Sequence, residues 1–183
     1  VSLDHGILAL VYGALAAGGL RAFAHDRRFP AGRIYGRVWL WLAIVVGVAA
    51  LQALTGVLSG LTDALRIEAK SDGWYSERRP FQAAVIAVVL LGSFGALLGA
   101  LIWIRPAWRR YALAIVAVVY NLSFTVIQAI SLHQVDGLMH QQVGPLPVAA
   151  WCHTIGVGLA AAALFIWYRR AFARRNAPSG RSV

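Results

Sequence analysis

Five apolar runs, each long enough to cross a bilayer, constrain this chain more than any other feature. A hydrocarbon core about 30 Å thick takes roughly 20 residues of helix. The runs at about 6–24, 38–62, 81–104, 111–132 and 147–168 all approach or exceed that length. Backbone polar groups in lipid must pair within the protein, which leaves helices as the natural solution for runs of this length. The expected fold is therefore all-α: an integral membrane bundle of five transmembrane helices, forming one domain over residues 1–175. The stretch 176–183, with Pro178, Ser179 and Gly180, reads as a disordered cytoplasmic tail.

Composition agrees with the runs. Apolar residues make up 60% of the 183 and charged residues 13%, outside the range of soluble domains. The net charge of +10 does not indicate nucleic acid, because the basic residues sit between apolar runs and not on one soluble face. The single cysteine, Cys152, excludes an intrachain disulfide partner, a CxxC redox pair and a cysteine-built metal site. The chain opens Val1-Ser2-Leu3-Asp4-His5 without the basic start of a signal peptide, so the first run is expected to be a retained span.

Orientation follows from the positive-inside rule. Arg21, Arg27, Arg28, Arg33 and Arg37 follow the first span, Arg105, Arg109 and Arg110 join the third to the fourth, and Arg169, Arg170, Arg174, Arg175 and Arg181 follow the fifth. Thirteen of the 17 basic residues thus fall on one side. The opposite loops hold only Arg66, Lys70, Arg78 and Arg79, balanced by Asp63, Glu68, Asp72 and Glu77. This predicts a bacterial inner-membrane protein with a periplasmic N-terminus and a cytoplasmic C-terminus. Trp39, Trp41, Trp103, Trp108 and Trp167 are expected in the inner aromatic belt, and Trp74 and Trp151 in the outer one. Gly13 with Ala17, Gly56 with Gly60 and Gly95 with Gly99 have the four-residue spacing that allows close helix packing.

Polar residues segregate. Of 7 acids only Asp26 is on the inner side, and of 5 histidines only His25 is. The inner face therefore reads as merely basic and the outer face as chemically rich. At 100° per residue, Gln52, Thr55, Ser59, Thr62, Asp63 and Arg66 share an arc of about 100° on the second helix. Asn121, Thr125, Gln128 and Asp136 share about 80° on the fourth. Both stripes should face the bundle interior and each other, since unpaired polar groups are costly in lipid.

Between the second and third spans, residues 64–80 predict a helical extension, a turn at Gly73 and a short interfacial segment carrying Trp74 and Tyr75. Asp63, Glu68, Asp72, Arg78 and Arg79 are its candidate ligand-binding groups, the paired arginines suiting a carboxylate or phosphate. The end of the fourth span contains HxxDxxxH, which on a continuing helix puts His133, Asp136 and His140 on one face. His133 with Asp136 has the composition of a general acid/base pair, a carboxylate orienting an imidazole. His133, Asp136 and His140 are also the candidate metal ligands, with His153 as a further ligand-binding residue. No HExxH-type zinc motif occurs. A haem between His5 or His133 and His153 is an alternative, and no cofactor is assigned.

Gly73-Trp74-Tyr75 with Arg78, Arg79 and Gln82, and Ser131, His133, Val135 and Asp136, are similar to stretches in a group of bacterial multi-pass inner-membrane proteins of undefined function. Its pattern is GWYxxRRxxQ after the second span and SxHxVD at the end of the fourth. Where the group has two adjacent histidines, Gln134 stands here in the second place, which weakens the metal reading. The resemblance implies the multi-pass fold and no activity.

Two functions compete on these residues. One is a polar His/Asp/Arg site at the periplasmic membrane face, binding or processing a lipid headgroup or a small periplasmic ligand. The other is an accessory subunit of a respiratory, photosynthetic or secretory complex, with the bilayer and neighbouring membrane subunits as partners. A channel or transporter needs a polar path through both leaflets, and the third span has almost no polar group. No motif names a reaction, so enzyme and binding protein both stay open.

Overall fold

A computed structural model of the chain describes residues 3–56, 78–130, 139 and 141–175. Five long helices dominate: α1 (Leu3–Asp26), α3 (Arg37–Thr55), α4 (Arg78–Trp103), α5 (Trp108–Ile130) and α6 (Val148–Arg175). A six-residue helix α2 (Pro30–Tyr35) lies between α1 and α3, with Pro30 at its first position, where the missing N–H costs nothing. A two-stranded hairpin, β1 (Gln142–Val143) and β2 (Leu146–Pro147), precedes α6. Gly144 turns it at φ 67, a backbone region two-residue hairpins need and L side chains avoid. Trp151 Nε1 fastens the hairpin to α6 through the Val143 carbonyl at 2.9 Å.

Four stretches, Gly6–Asp26, Gly32–Thr55, Arg105–Gln128 and Val148–Ala173, are long and apolar enough to cross a membrane; α4 contributes the shorter apolar stretch Ala87–Trp103. The outward surfaces are apolar, with Leu10, Leu91 and Ile102 each more than 70% exposed. A soluble bundle would carry charge there; a lipid-facing one carries leucine.

Packing contacts give the direction of every long helix. Gly19 lies under the Trp39 carbonyl and Ala43, while Gly47 meets Ala16, so α1 and α3 are antiparallel. Tyr12 bonds His153 and Asp26 bonds Trp167, both pairs 141 residues apart, so α1 and α6 are parallel and in register. α3 and α5 begin at the same end, where the Trp39 and Tyr111 rings lie 6.2 Å apart. The chain must therefore return between them, and α4 makes the journey. Ser123 donates to Ser93 at 2.7 Å partway along, and Trp103 reaches Tyr35 at the α5 start. The helices α1, α3, α5 and α6 close a ring, and α4 leans on α5 from outside.

Ala114, Ala117, Ala160 and Ala163 are buried in the core, on α5 and α6. Gly156 tightens that contact further. A Cβ there would lie 2.6 Å from Asn121 Oδ1. Asn121 Nδ2 donates to the Ala117 carbonyl at 2.8 Å and the Gly156 carbonyl at 3.2 Å. Asn121→Ala is expected to cost only about 0.6 kcal/mol, the average for a hydrogen bond between membrane helices. Gly156→Ala should cost about 1–3 kcal/mol through overpacking, and less in an Asn121→Ala background. Denaturant titration of the four proteins checks this coupling; strict additivity would refute it.

Several sequence expectations change. α3 ends at Thr55, because Gly56 takes φ 62 and its N–H closes on the Gln52 carbonyl. Gln52 and Thr55 of the expected stripe stand on α3, while Ser59, Thr62, Asp63 and Arg66 lie outside the described residues. Gly13, Gly56, Gly95 and Gly99 meet nothing within 4 Å; the close approaches fall at Gly18, Gly19, Gly32 and Gly156 instead. Residues 57–77, including the interfacial segment, and the tail 176–183 lie outside the described residues.

Candidate functional site

Two polar clusters lie at opposite ends of the ring. Tyr12 and Asp26, like His153 and Trp167, are 14 residues apart, or about 21 Å of helix.

The first cluster surrounds Asp26, the last residue of α1, whose side chain is completely buried. Its Oδ2 accepts Trp39 Nε1 at 3.1 Å and Tyr111 Oη–H at 2.8 Å. Its Oδ1 accepts Trp167 Nε1 at 3.1 Å and a short charge-assisted bond from Arg110. His25 Nδ1 stands 3.5 Å from the same Oδ1, and together these contacts fill the roughly four lone-pair sites of a carboxylate. The donors come from α3, α5 and α6, so one side chain ties all four ring helices. Among the described residues no buried side-chain nitrogen or oxygen lacks a partner. A saturated carboxylate has no capacity left for a substrate, so this cluster is a structural tie. Aromatic contacts extend it: His25 and Trp39 each pack on Trp167, and Tyr35 on Tyr111.

The sequence reading of the inner face as merely basic missed this. The signal available was the solitude of Asp26: one carboxylate at the end of an apolar run, in connections that hold thirteen of the 17 basic residues of the sequence, must be accounted for. The aromatic belt is also corrected. Trp41, Trp103, Trp108 and Trp151 are exposed, but Trp39 and Trp167 are buried because their indole N–H groups serve Asp26.

The second cluster centres on His153, about one turn into α6. Tyr12 Oη on α1 lies 3.0 Å from its Nδ1, and Gln128 Nε2 on α5 lies 3.4 Å from its Nε2. With the Gln128 amide as donor, Nδ1 carries the ring proton and Tyr12 Oη accepts it. Phe124 meets the imidazole edge-on at 4.9 Å. Tyr12 is 1% exposed, and Tyr120 donates to the neighbouring Cys152 carbonyl at 3.0 Å. The imidazole is thereby held between three helices. The polar stripe of α5 is met here by α6: Asn121 bonds Gly156, Gln128 bonds His153, and Thr125 bonds back to the Asn121 carbonyl. Of its expected partner, the stripe on the second span, Ser59, Thr62, Asp63 and Arg66 lie outside the described residues.

Of the candidate catalytic, ligand-binding and metal residues read from the sequence, His153 is the one whose side chain is described. Arg78 and Arg79 open α4. Asp63, Glu68, Asp72, His133, Asp136 and His140 lie outside the described residues, as do the HxxDxxxH and haem readings that need them. Among the described residues no group of three His, Cys, Asp or Glu side chains is placed to hold a metal. Tyr12 was not anticipated; a tyrosine in a leucine- and alanine-rich span gave no periodicity to find it by.

Apolar outward faces around a ring tied by buried polar side chains, with four helices long and apolar enough to cross a membrane, make a helical bundle compatible with a membrane protein. Comparison with family models, curated proteins and solved structures finds no match.

Proposed function

We propose that this chain is a five-span protein of the bacterial inner membrane, with its N-terminus in the periplasm and its C-terminus in the cytoplasm. Its periplasmic face carries a polar site that binds or processes a lipid headgroup or small periplasmic ligand. The antiparallel course of α4 beside α5 supports the odd span count, since 26 residues of helix extend about 39 Å. The distribution of arginine supports the orientation. A single-cysteine test decides both: in a Cys152→Ser background, a membrane-impermeant maleimide should label Ser2→Cys in intact cells and leave Ser182→Cys unlabelled. The reverse pattern, or labelling of both, would refute this topology.

The observation that carries the site is the imidazole of His153 held at both nitrogens, at the bundle end from which α5 leads to His133 and Asp136. A boundary histidine positioned this way suits a ligand-binding or proton-transfer role. In this reading His133 and Asp136 form the acid/base pair, and Asp63, Glu68, Asp72, Arg78, Arg79 and His140 line the rim. Tyr12 and Gln128 position His153.

Complementation of a deletion strain tests it. His133→Ala, Asp136→Ala and His153→Gln should each abolish rescue while membrane levels stay normal; Tyr12→Phe should reduce rescue less, because it removes one bond and keeps the ring. Full rescue by all three of the first set would sink the proposal.

A further inference from the structure

The end of the bundle that holds Asp26 carries more positive charge than Asp26 neutralises. A cavity of about 350 Å³ opens beside the tie, with His25, Arg109, Arg110, Trp167 and Arg170 in its wall and no acid among its lining residues. Arg110 is paired with Asp26. Arg109 and Arg170 have no carboxylate partner among the described residues; Arg170 instead donates to the Arg109 carbonyl, which draws α5 and α6 together at the cavity mouth. Arg109 and Arg110 also border a second, open groove of about 1020 Å³ whose other wall includes Leu98, Leu101 and Ile102. Trp103, Trp108, Tyr168 and Phe172 are all at least half exposed around this end, which marks the level of lipid headgroups.

We propose that this end binds an anionic phospholipid, with its phosphate between Arg109 and Arg170 and an acyl chain along the groove beside Leu98 and Ile102. Guanidinium forks match phosphate oxygens bidentately. Two uncompensated cations leave the cavity attractive to an anion, and a basic pocket between helices at the headgroup level is a recurring way of holding such lipids. Its volume is at the small end for ligand pockets, which suits a phosphate with its glycerol linkage. The apolar groove on the far side of Arg109 and Arg110 favours a lipid over a soluble phosphate compound, which would have no use for it. The site stands apart from the His153 cluster and does not depend on which face of the membrane it occupies.

Thermal unfolding of the full-length protein in an uncharged detergent tests the proposal, with phosphatidylglycerol, phosphatidylcholine or inorganic phosphate added. A ligand that binds only the folded state raises Tm with concentration. Phosphatidylglycerol should raise it by several degrees, and the other two should not. Arg109→Gln and Arg170→Gln should each weaken the apparent affinity about fivefold, the effect of one arginine near an anionic headgroup. Arg28→Gln removes the same charge from an exposed position outside the cavity and should leave the affinity unchanged. Equal protection by phosphatidylcholine or by inorganic phosphate would overturn the assignment. So would wild-type affinity in both cavity variants, or an equal loss in Arg28→Gln, since a diffuse charge effect would then explain the binding.

Discussion

Asp26→Ala is expected to destabilise the folded bundle by about 3–5 kcal/mol, the range found when one member of a buried ion pair is removed. The carboxylate is the shared acceptor for Trp39, Tyr111, Arg110 and Trp167, so its loss strands four donors on three helices. Each unpaired donor is costly in a medium without water, and the Arg110 charge loses its counter-ion. Denaturant titration in mixed micelles measures the effect, with the fluorescence of Trp39 and Trp167 as a reporter beside the lesion. Asp26→Asn keeps one acceptor oxygen and loses the charge, so it should fall between wild type and Asp26→Ala. Adding Arg110→Leu to Asp26→Ala should restore part of the stability, because the orphaned cation is then gone. Wild-type stability in Asp26→Ala would mean that the tie contributes nothing.

Gly32→Ala should be the second most damaging change, at about 3 kcal/mol, the upper end of ordinary overpacking. Gly32 on α2 packs against the last residue of α1. An added Cβ would lie 2.5 Å from the Asp26 carbonyl carbon, closer still to its oxygen, and 3.0 Å from the Asp26 Cβ. The obstacle is backbone, so no side-chain rotation relieves it; α2 must swing away from the residue on which the tie depends. Gly36, one turn later, lies 3.3 Å from the same Cβ by the same measure and keeps that face smooth. Gly95→Ala and Gly99→Ala provide the contrast. Both positions are open on α4, and alanine there should be neutral or stabilising by up to about 1 kcal/mol through helix propensity. Equal losses at Gly32 and Gly95 in the same titration would refute the packing argument.

These glycines show why the sequence was legible only in part. Gly95 and Gly99 have the spacing of a close-packed pair, and Gly32 with Gly36 has the same spacing. Spacing reports which residues share a helix face, and not what that face meets. Tryptophan misleads in the same way. Trp39 and Trp41 stand two residues apart at the start of one helix, and the belt rule treats them alike. One indole is buried on Asp26 and the other is 57% exposed. His153 was singled out as a ligand-binding residue, and the partners it meets in the fold, Tyr12 and Gln128, stand on two other helices.

What the sequence determined by itself was the material of the fold. Five apolar runs separated by basic and polar connections require helices, because only helices satisfy the backbone of such runs in lipid. The boundaries of the first, third, fourth and fifth runs fall within a few residues of α1, α4, α5 and the start of α6. Tertiary structure alone decided which polar groups meet. Asp26 looked incidental until three helices delivered two indoles, a phenol and a guanidinium to its two oxygens. Tyr12 drew no notice in the sequence, and its role comes only from α6 running parallel beside it and placing His153 Nδ1 at 3.0 Å. The physical reason is range: backbone satisfaction and hydrophobic burial are encoded within one helix, whereas the bonds that Asp26 receives from Trp39, Tyr111 and Trp167, and Tyr12 shares with His153, join different helices and exist only once they have packed.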